Sequence, residues 1–402
     1  MTDVVIVGAS HSGIAAAAAL RTMGYEGSIA VLTDEAAVPY HRPPLSKDAL
    51  SSAAFQPTPL RPEPFYKNNK VDLLQRMEVM DINLDERTLL ASDGSKHSFD
   101  KLILACGAKP RRLPTAVDPQ ELALYLRTHD DVEELKKRFS GAQAIAIVGG
   151  GLIGVEVAAM AAAAGLRVTV IEPTERLMQR AVSPSVSTYL QGRHEAAGIK
   201  FLLGVSVTGI ARAVGTTGEL LTLSDGSVVD TDTTLAAIGV VPNDSLARAA
   251  GLEVANGILT SATGETAAAD VFAIGDCAAW LDPELGAHVR SEAVNPGMEQ
   301  AKIVASAIAG KPAPERAVGR LWSHQGPIRL QMAGEVNSAT SEAVLKAAAS
   351  GAFSVLGFKE NRLVAVQSIN DPQQFTKLFD LIGSTREDVA GTLDVEFPPP
   401  RH

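Results

Sequence analysis

The stretch AIAIVGGGLIGVEVAAMAAAAGLRVTVIE, from Ala144 to Glu172, decides the fold of this chain. Gly149, Gly151 and Gly154 have the G-x-G-x-x-G spacing, and Glu172 follows 18 positions after Gly154. Glycines at these places let the backbone approach a pyrophosphate at the start of a helix. The pattern predicts, in order, a buried strand over 144–148, a helix over 152–164 and a strand over 168–171. Together these features predict a dinucleotide-binding unit.

The acid at the end of this stretch also bears on which nicotinamide cofactor binds. The carboxylate of Glu172 can accept hydrogen bonds from both ribose hydroxyls of NAD, each worth about 1.5–3 kcal/mol. A 2′-phosphate in the same place would lie ~4 Å from a like charge, a repulsion of up to about 4 kcal/mol. Pro173 follows where an NADP site often has a basic residue, although Arg176 and Arg180 lie nearby and could bind a phosphate or the pyrophosphate. These residues favour NADH.

A second, weaker dinucleotide pattern stands at the start of the chain. Four apolar residues, Val4 to Val7, predict a buried strand and are followed by Gly8, Ser10 and Gly13. The spacing reads G-x-S-x-x-G, with Glu35 22 positions beyond Gly13, where an acid can bind a ribose. The pattern further predicts a helix over 14–20 and a strand over 28–32. An ordinary glycine-containing strand-to-helix turn remains an alternative interpretation.

Composition limits the remaining functions. The 402 residues suffice for two or three domains, and 46% hydrophobic residues with 20% charged residues are typical of a globular protein. A net charge of −10 disfavours nucleic acids and anionic membranes as partners. Two cysteines are too few for a four-ligand metal site or an iron–sulfur cluster, and the histidines show no metal-ligand spacing. Without a membrane-length apolar run or a basic signal segment, we expect a cytoplasmic protein.

Several further motifs carry a resemblance to a known family. They are PYHRPPLSK from Pro39 to Lys47, Ala-Cys-Gly-Ala from 105 to 108, Gly275-Asp276, and Trp-Ser-His-Gln from 322 to 325. With the two glycine patterns, they make the chain similar to the FAD-dependent ferredoxin reductases of oxygenase systems. This group includes the putidaredoxin, rubredoxin and biphenyl-dioxygenase ferredoxin reductases of the pyridine nucleotide-disulfide oxidoreductase superfamily.

The resemblance implies an α/β fold with two Rossmann-like, glutathione-reductase-like dinucleotide-binding domains and a C-terminal α+β domain. The FAD-binding domain is expected to be discontinuous, over 1–112 and 240–315. The NADH-binding domain is expected over 113–239, inserted between these segments, and the C-terminal domain over 316–402.

The resemblance also assigns roles to individual residues. FAD is expected to contact Gly8, Ser10, Gly13, Glu35, Arg42, Lys47, Val79, Gly107, Asp276 and Trp322. NADH is expected to contact Gly149, Gly151, Gly154, Glu172 and Arg180. Lys47 is expected near the flavin N5 and paired with Glu156 as the catalytic pair, because a cation there stabilises charge on the reduced flavin. Two alternatives remain open: Trp322 as a simple core residue, and Glu156 as a solvated or capped acid.

The implied reaction is transfer of a hydride from NADH to FAD, followed by single electrons to a [2Fe–2S] ferredoxin. The ferredoxin must be a separate protein because this chain cannot ligate the cluster, and it would feed a Rieske oxygenase or a cytochrome P450. Monomer and homodimer both remain open. A disulfide reductase would need a C-x-x-x-x-C motif, which the chain lacks. An NADH-binding redox sensor of the apoptosis-inducing-factor type is the remaining alternative.

Two features concern the surface that meets a partner. Ferredoxins are usually acidic, so we expect local basic residues, with scattered solvated charge as the alternative. The candidates are Arg290, Lys302, Lys311, Arg316, Arg320 and Arg329. The resembling family also usually carries an acid where this chain has His324. The histidine therefore changes the expected charge next to the residues that would cover the flavin.

Overall fold

The computed structural model describes residues 2–52, 55–215, 217–315, 317–346, 351–395 and 397. Its helices are α1 (His11–Thr22), α2 (Asp48–Ser51), α3 (Glu63–Asn68), α4 (His129–Ser140), α5 (Leu152–Ala163), α6 (Pro184–Ala196), α7 (Ser245–Ala249), α8 (Val294–Ile308), α9 (Pro372–Phe379) and α10 (Arg386–Leu393). Within the described ranges, no helix is both long enough and apolar enough to cross a bilayer.

The described residues form 24 strands, numbered in chain order. The first fourteen are β1 (Thr2–Val7), β2 (Ile29–Leu32), β3 (Val71–Leu74), β4 (Val79–Asn83), β5 (Thr88–Ala91), β6 (Lys96–Leu104), β7 (Ala108–Pro110), β8 (Ala144–Val148), β9 (Arg167–Glu172), β10 (Lys200–Leu203), β11 (Val207–Arg212), β12 (Glu219–Leu223), β13 (Val228–Thr231) and β14 (Thr233–Ala236). The others are β15 (Val240–Pro242), β16 (Ile258–Thr260), β17 (Val271–Ala273), β18 (Ala278–Asp282), β19 (Ala287–Val289), β20 (Arg320–Gln325), β21 (Ile328–Gly334), β22 (Ser341–Lys346), β23 (Phe353–Lys359) and β24 (Arg362–Ile369).

The chain forms two compact units, each made of discontinuous segments. The first unit contains Met1–His41, Pro57–Lys109 and Val240–Ala317. The second contains Arg42–Gln56, Pro110–Gly239 and Val318–His402. The second unit thus joins the range expected to bind NADH to the range expected to form the C-terminal domain. The three-domain division stays a prediction.

The first unit is built around a mainly parallel sheet. Its strand order is β3-β2-β1-β6-β5-β4, and β17 also pairs with β6. The pairs β2–β3, β1–β2, β1–β6 and β17–β6 are parallel. All residues of β2 and the last four of β1 are buried, as expected for strands covered on both faces. In register, Leu104 pairs with Val7 and with Ala273, so β1, β6 and β17 end at one edge of the sheet.

Small residues allow α1 and α8 to pack closely in this unit. Ala16 and Ala17 of α1 are fully buried, as are Ala301 and Ala305 of α8. A Cβ atom on Gly297 of α8 would lie 2.4 Å from the Ser12 hydroxyl of α1, which is closer than any real contact. Glycine at 297 therefore sets the approach of the two helices.

The second unit contains a parallel sheet and a separate antiparallel sheet. The parallel sheet has the order β10-β9-β8-β14, which is the arrangement expected of a dinucleotide fold, and β11-β12-β13 form a small antiparallel sheet. The last five strands form an antiparallel sheet of order β20-β21-β24-β23-β22. Helices α9 and α10 pack on this sheet through Phe375, Leu378 and Val389.

One core within the second unit joins helices of the dinucleotide fold to the C-terminal sheet. Val155 of α5 and Leu190 of α6 pack with Leu330, Val355 and Ile369 of the sheet. Helix α5 is apolar nearly all round and is buried on most sides, which fits a helix packed between two layers. This helix carries Glu156, so the same packing fixes the position of that acid.

The fold class predicted from the sequence is confirmed. Strand β8 has the predicted bounds, and α5 ends one residue earlier than predicted, at Ala163. The first helix begins at His11, although its apolar pattern starts only at Ile14. Residues of a first helical turn need no apolar side chains, which is why the pattern located the start too late.

The contacts of two helical glycines predict opposite effects of alanine on stability. A Cβ on Gly154 of α5 would lie 2.0 Å from the Gly149 carbonyl oxygen, whereas a Cβ on Gly192 of α6 would meet nothing within 4 Å. We expect Gly154→Ala to lower stability by about 1–3 kcal/mol through overpacking. The matched Gly192→Ala should raise it by about 1 kcal/mol through helix propensity. Melting curves followed by circular dichroism test this, and a Gly154→Ala protein as stable as the wild type would contradict it.

Candidate functional site

The turn between β1 and α1 has the shape that a dinucleotide phosphate requires. Gly8 has φ +106°, and a Cβ there would lie 2.2 Å from the Ala105 carbonyl oxygen. A Cβ on Gly13 would lie 1.9 Å from the Gly8 carbonyl oxygen. Neither site admits a side chain, so the backbone turns tightly into the helix, with Ser10 as the N-cap residue. The backbone N–H groups of the first helical turn can then bind an anion.

The turn between β8 and α5 repeats this geometry in the second unit. Gly149 has φ +111° and a Cβ there would lie 2.4 Å from the Ala237 carbonyl oxygen. A Cβ on Gly154 would again strike the carbonyl oxygen of the first glycine, whereas Gly151, the N-cap residue, has no atom within 4 Å of a Cβ. The open space at Gly151, at the start of the helix, fits a pyrophosphate group.

Each unit places an acid after its second strand. In the second unit, Glu172 ends β9, and its Oε2 accepts a hydrogen bond from the Gly150 N–H at 2.6 Å. Its Oε1 accepts bonds from the Thr174 N–H at 2.9 Å and hydroxyl at 2.7 Å. A carboxylate has about four acceptor positions, so Glu172 is held in a fixed orientation and can still accept a ribose hydroxyl. In the first unit, the Tyr40 hydroxyl donates to Glu35 Oε2 at 2.8 Å.

Other residues predicted to bind FAD lie at the same edge of the first unit's sheet. Asp276 is half-buried in a short 3-10 turn, Gly275–Cys277, just after β17. A Cβ on Gly275 would lie 2.5 Å from the Ser12 hydroxyl, which places this turn beside the start of α1. Gly107, with φ +67°, follows β6. Because β1, β6 and β17 end together, the structure brings these residues near the glycine turn. Val79 is half-buried at the start of β4.

Three more residues that are predicted to bind a cofactor belong to the second unit. Arg42 donates from Nη1 to the Arg127 carbonyl oxygen at 2.9 Å. Arg180 is exposed, with Nη2 beside the backbone of Gly239. Trp322 is 38% exposed, so the alternative interpretation of this residue as simple core is wrong. The other tryptophan of the chain, Trp280, is the buried one.

The structure brings Lys47 and Glu156 together. Lys47 Nζ lies 2.7 Å from Glu156 Oε2, and the side chains are 13% and 2% exposed. The Ser46 hydroxyl also donates to Oε2, and the Ser323 hydroxyl donates to Oε1 at 2.6 Å. Lys47 further donates to the Pro43 carbonyl oxygen at 2.9 Å. The alternative of a solvated Glu156 is therefore wrong, because a carboxylate this deeply buried depends on its partners.

Comparison with known proteins identifies the family. A model described as pyridine nucleotide-disulphide oxidoreductase matches residues 2–305. The chain belongs to this family. A second model, described as reductase C-terminal, matches residues 320–394. The family uses FAD and NAD(H) as cofactors, and the sequence-based predictions of family, enzyme class and cofactors are confirmed at this level.

Similar proteins cover nearly the whole chain. A rubredoxin-NAD(+) reductase of Pseudomonas putida is 36% identical over 372 residues, covering 92% of this chain and 96% of the relative. Putidaredoxin reductase CamA of Pseudomonas putida is 34% identical and covers 94% of this chain and 91% of its own. The crystal structure of the ferredoxin reductase for the CYP199A2 system from Rhodopseudomonas palustris superposes with a TM-score of 0.90 at 35% identity, covering 97% of both chains.

This member of the family lacks the redox disulfide that gives the family part of its name. Its two cysteines, Cys106 and Cys277, are both free thiols in the structure. Cys277 is buried, and its Sγ donates to the carbonyl oxygens of Ile274 and Leu104, at 3.3 and 3.5 Å. Among the described residues, no group of three or more His, Cys, Asp or Glu side chains is arranged to hold a metal ion.

Sequence reasoning missed four residues of the Glu156 surroundings. Ser46, Ser323 and Gln325 belong to the recognised motifs but received no role, and His194 was not considered. A signal was present in β20, where Ser323 and Gln325 occupy alternate positions and are fully buried. Two polar residues on the inward face of a strand indicate a buried hydrogen-bond network.

Two of the basic residues proposed for a partner surface are paired with acids in the structure. Arg290 Nη2 pairs with Glu292 at 2.6 Å and Lys302 Nζ pairs with Glu299 at 2.7 Å. Arg316 lies outside the described residues. A basic docking patch therefore stays a prediction.

The surroundings of His324 predict how its pKa responds to substitution. Partial burial, followed by the nearby positive charges of Lys47 and Arg329, lowers the pKa of His324, because each disfavours the imidazolium. Removing the first cation in Lys47→Met should raise this pKa, and Arg329→Ala should raise it less. The exposed Lys200 supplies the control Lys200→Ala, expected to have no effect. NMR titration of the His324 ring protons measures the change, and a lower pKa in Lys47→Met would contradict this arrangement.

Proposed function

We propose that this chain is an NADH-dependent reductase that contains FAD and passes electrons to a [2Fe–2S] ferredoxin. The observation that carries the proposal is the buried Lys47–Glu156 pair in the same unit as the β8–α5 glycine turn. The names of the relatives support it, since they are reductases of rubredoxin, putidaredoxin and ferredoxins. A covalent putidaredoxin reductase–putidaredoxin complex also superposes with a TM-score of 0.89 at 33% identity.

The two glycine turns would divide the cofactors between the units. Gly8, Ser10 and Gly13 would bind the FAD pyrophosphate, with Asp276 on the ribitol and Glu35 on the adenosine ribose. When bound, NADH supplies a hydride, and FAD accepts it and releases electrons one at a time. The discontinuous FAD domain and the inserted NADH domain described from the sequence are part of this proposal.

In the second unit, four residues would fix the nicotinamide cofactor. The N–H groups around Gly149, Gly151 and Gly154 would bind its pyrophosphate, and Glu172 would orient its ribose. The Gly150 N–H holds Glu172 in place, so the carboxylate is oriented before the cofactor arrives. Orientation of this kind reduces the entropy lost on binding.

Lys47 would supply the positive charge at the reacting centre. The Lys47 side chain is held in one orientation, because its ammonium donates hydrogen bonds to Glu156, Pro43 and Ser46. A fixed cation stabilises developing negative charge without reorganising in the reaction. Arg42 and Trp322 would contribute to flavin binding in the same proposal.

The iron–sulfur cluster that accepts the electrons would lie outside these 402 residues. With only Cys106 and Cys277, the chain cannot provide the four thiolates of a ferredoxin cluster. The downstream Rieske oxygenase or cytochrome P450 and the cytoplasmic location expected from the sequence belong to the same proposal. The oligomeric state stays open between monomer and homodimer.

The proposed function is tested with the purified, FAD-loaded protein. We expect fast NADH oxidation only when a [2Fe–2S] ferredoxin is added, followed by reduction of cytochrome c. An apoptosis-inducing-factor-type sensor would instead give a long-lived charge-transfer band with little turnover. Protein that stays colourless after reconstitution with FAD would reject both interpretations.

Cofactor preference provides a second test. Glu172→Ala should reduce the NADH-over-NADPH ratio of kcat/KM by about tenfold or more, since it removes a charge-assisted acceptor worth about 1.5–3 kcal/mol. Glu175, an exposed acid in the same loop, supplies the control Glu175→Ala, expected to keep the ratio. Loss of the Gly150 contact alone would weaken NADH and NADPH equally, so an unchanged ratio would refute the role of Glu172.

A further inference from the structure

A chain of buried hydrogen bonds leads from Glu156 through the end of β20 to His194 on α6. Ser323 Oγ lies 2.6 Å from Glu156 Oε1, and Gln325 Nε2 lies 3.1 Å from Ser323 Oγ. Gln325 Oε1 lies 2.8 Å from His194 Nε2 on α6. Ser323, Gln325, His194 and Glu156 are all nearly or fully inaccessible to solvent. Only Lys47, at the other oxygen of Glu156, reaches the surface in part.

The ionised carboxylate determines the direction of every bond in this chain. Glu156 only accepts, so the Ser323 hydroxyl must donate to it and must accept from the Gln325 amide N–H. The amide oxygen of Gln325 then faces His194, which must carry a proton on Nε2. Burial lowers the pKa of His194, consistent with a neutral ring in that tautomer. All donors therefore point toward Glu156.

We propose that Ser323, Gln325 and His194 are positioning residues that hold the Glu156 carboxylate, and through it the Lys47 ammonium, in the orientation used for flavin reduction. The proposal rests on the proposed function, which makes Lys47 and Glu156 the catalytic pair. Without Ser323, Glu156 Oε1 would lose its hydrogen-bond donor, and the carboxylate could rotate away from Lys47. A lysine side chain carries about 2 kcal/mol of rotamer entropy, so it stays fixed only while its acceptor is fixed.

The chain of bonds transmits orientation and not protons. A glutamine could relay a proton only by passing through its unstable imidic acid form, because its amide must lose an N–H proton as its oxygen gains one. Gln325 therefore breaks any proton path between His194 and Glu156. Its contribution is to orient the Ser323 hydroxyl toward the Glu156 carboxylate.

The positioning residues come from different parts of the sequence. Glu156 lies in the range matched by the oxidoreductase model, whereas Ser323 and Gln325 lie in the range matched by the reductase C-terminal model. Within the second unit, the C-terminal sheet therefore contributes hydrogen bonds to Glu156 as well as packing contacts to α5. It orients one member of the catalytic pair.

The test compares two buried serines of the C-terminal sheet. Ser323→Ala removes the hydroxyl from Glu156. Ser354→Ala is the matched control, because Ser354 is equally buried but its hydroxyl bonds to the Ser368 hydroxyl, at 2.7 Å, and not to Glu156. Stopped-flow absorbance of the FAD-loaded protein gives the flavin reduction rate and the Kd for NADH. We expect Ser323→Ala to lower the rate about tenfold, the loss of one charge-assisted hydrogen bond, with Kd unchanged and with rescue by Ser323→Thr. Ser354→Ala should change neither quantity.

A second readout does not depend on turnover. Reductive methylation of Lys47, followed by mass spectrometry, reports how firmly Glu156 holds the ammonium in the protein as purified. We expect faster methylation of Lys47 in Ser323→Ala than in the wild type or in Ser354→Ala. This result would stand even if no ferredoxin accepted electrons, so failure of the positioning role and failure of the proposed function are distinguishable.

Gln325→Met keeps the test decisive if Ser323→Ala does not fold. This substitution preserves the Ser323–Glu156 bond but removes the donor that orients Ser323, so we expect a two- to fivefold loss in rate and a smaller rise in methylation. Wild-type rates and wild-type methylation in the folded variants would overturn the proposal. Equal effects of Ser323→Ala and Ser354→Ala would also overturn it, because they would show a general packing role.

Discussion

The burial of one carboxylate organises the second unit. Glu156 is 2% exposed on a helix that is otherwise apolar, and an unpaired charge there would cost several kcal/mol. Lys47 and Ser46 on one side and Ser323 on the other satisfy both of its oxygens. The requirement of Glu156 for the partners Lys47 and Ser46 explains why the segment Arg42–Gln56 belongs to the second unit. The residues before and after this segment in the sequence belong to the first unit. Leu50, packed against the core of the parallel sheet, completes the attachment of the segment.

The glycine turns could be predicted from the sequence because their determinants are local. Strand, turn and helix are adjacent along the chain, and Gly8 and Gly149 take the same positive φ for the same reason: a carbonyl oxygen lies where a side chain would be. The replacement of a middle glycine by Ser10 weakened the first pattern without changing the turn. Ser10, like Gly151, is an N-cap residue with extended backbone and a negative φ, which any small residue can adopt.

The Glu156 network could be predicted only in part because its contacts are long-range. The pairing with Lys47, 109 positions away, followed from the resemblance to a family and not from spacing. The Ser323 bond spans 167 positions and the His194–Gln325 bond spans 131, and no local pattern links such residues. What the sequence did contain was the alternation of β20. Buried Ser323 and Gln325 place Trp322 and His324 on the opposite face, so the exposure of Trp322 follows from its neighbours.

The same alternation separates two tasks on a single strand. Ser323 and Gln325 face Glu156 and His194, and any change there would disturb the buried network. Trp322 and His324 lie on the other face of the strand. Burial and the nearby Lys47 lower the pKa of His324, so the side chain at 324 lies close enough to sense this cation. We therefore expect a substitution at 324 to change the charge beside Lys47 without removing a donor from Glu156. Because successive side chains of a strand point to opposite faces, the charge on the exposed face of β20 can vary while the buried face keeps the orientation of Glu156 and Lys47. This arrangement gives a physical reason why the side chain at position 324 can vary within the Trp-Ser-x-Gln motif.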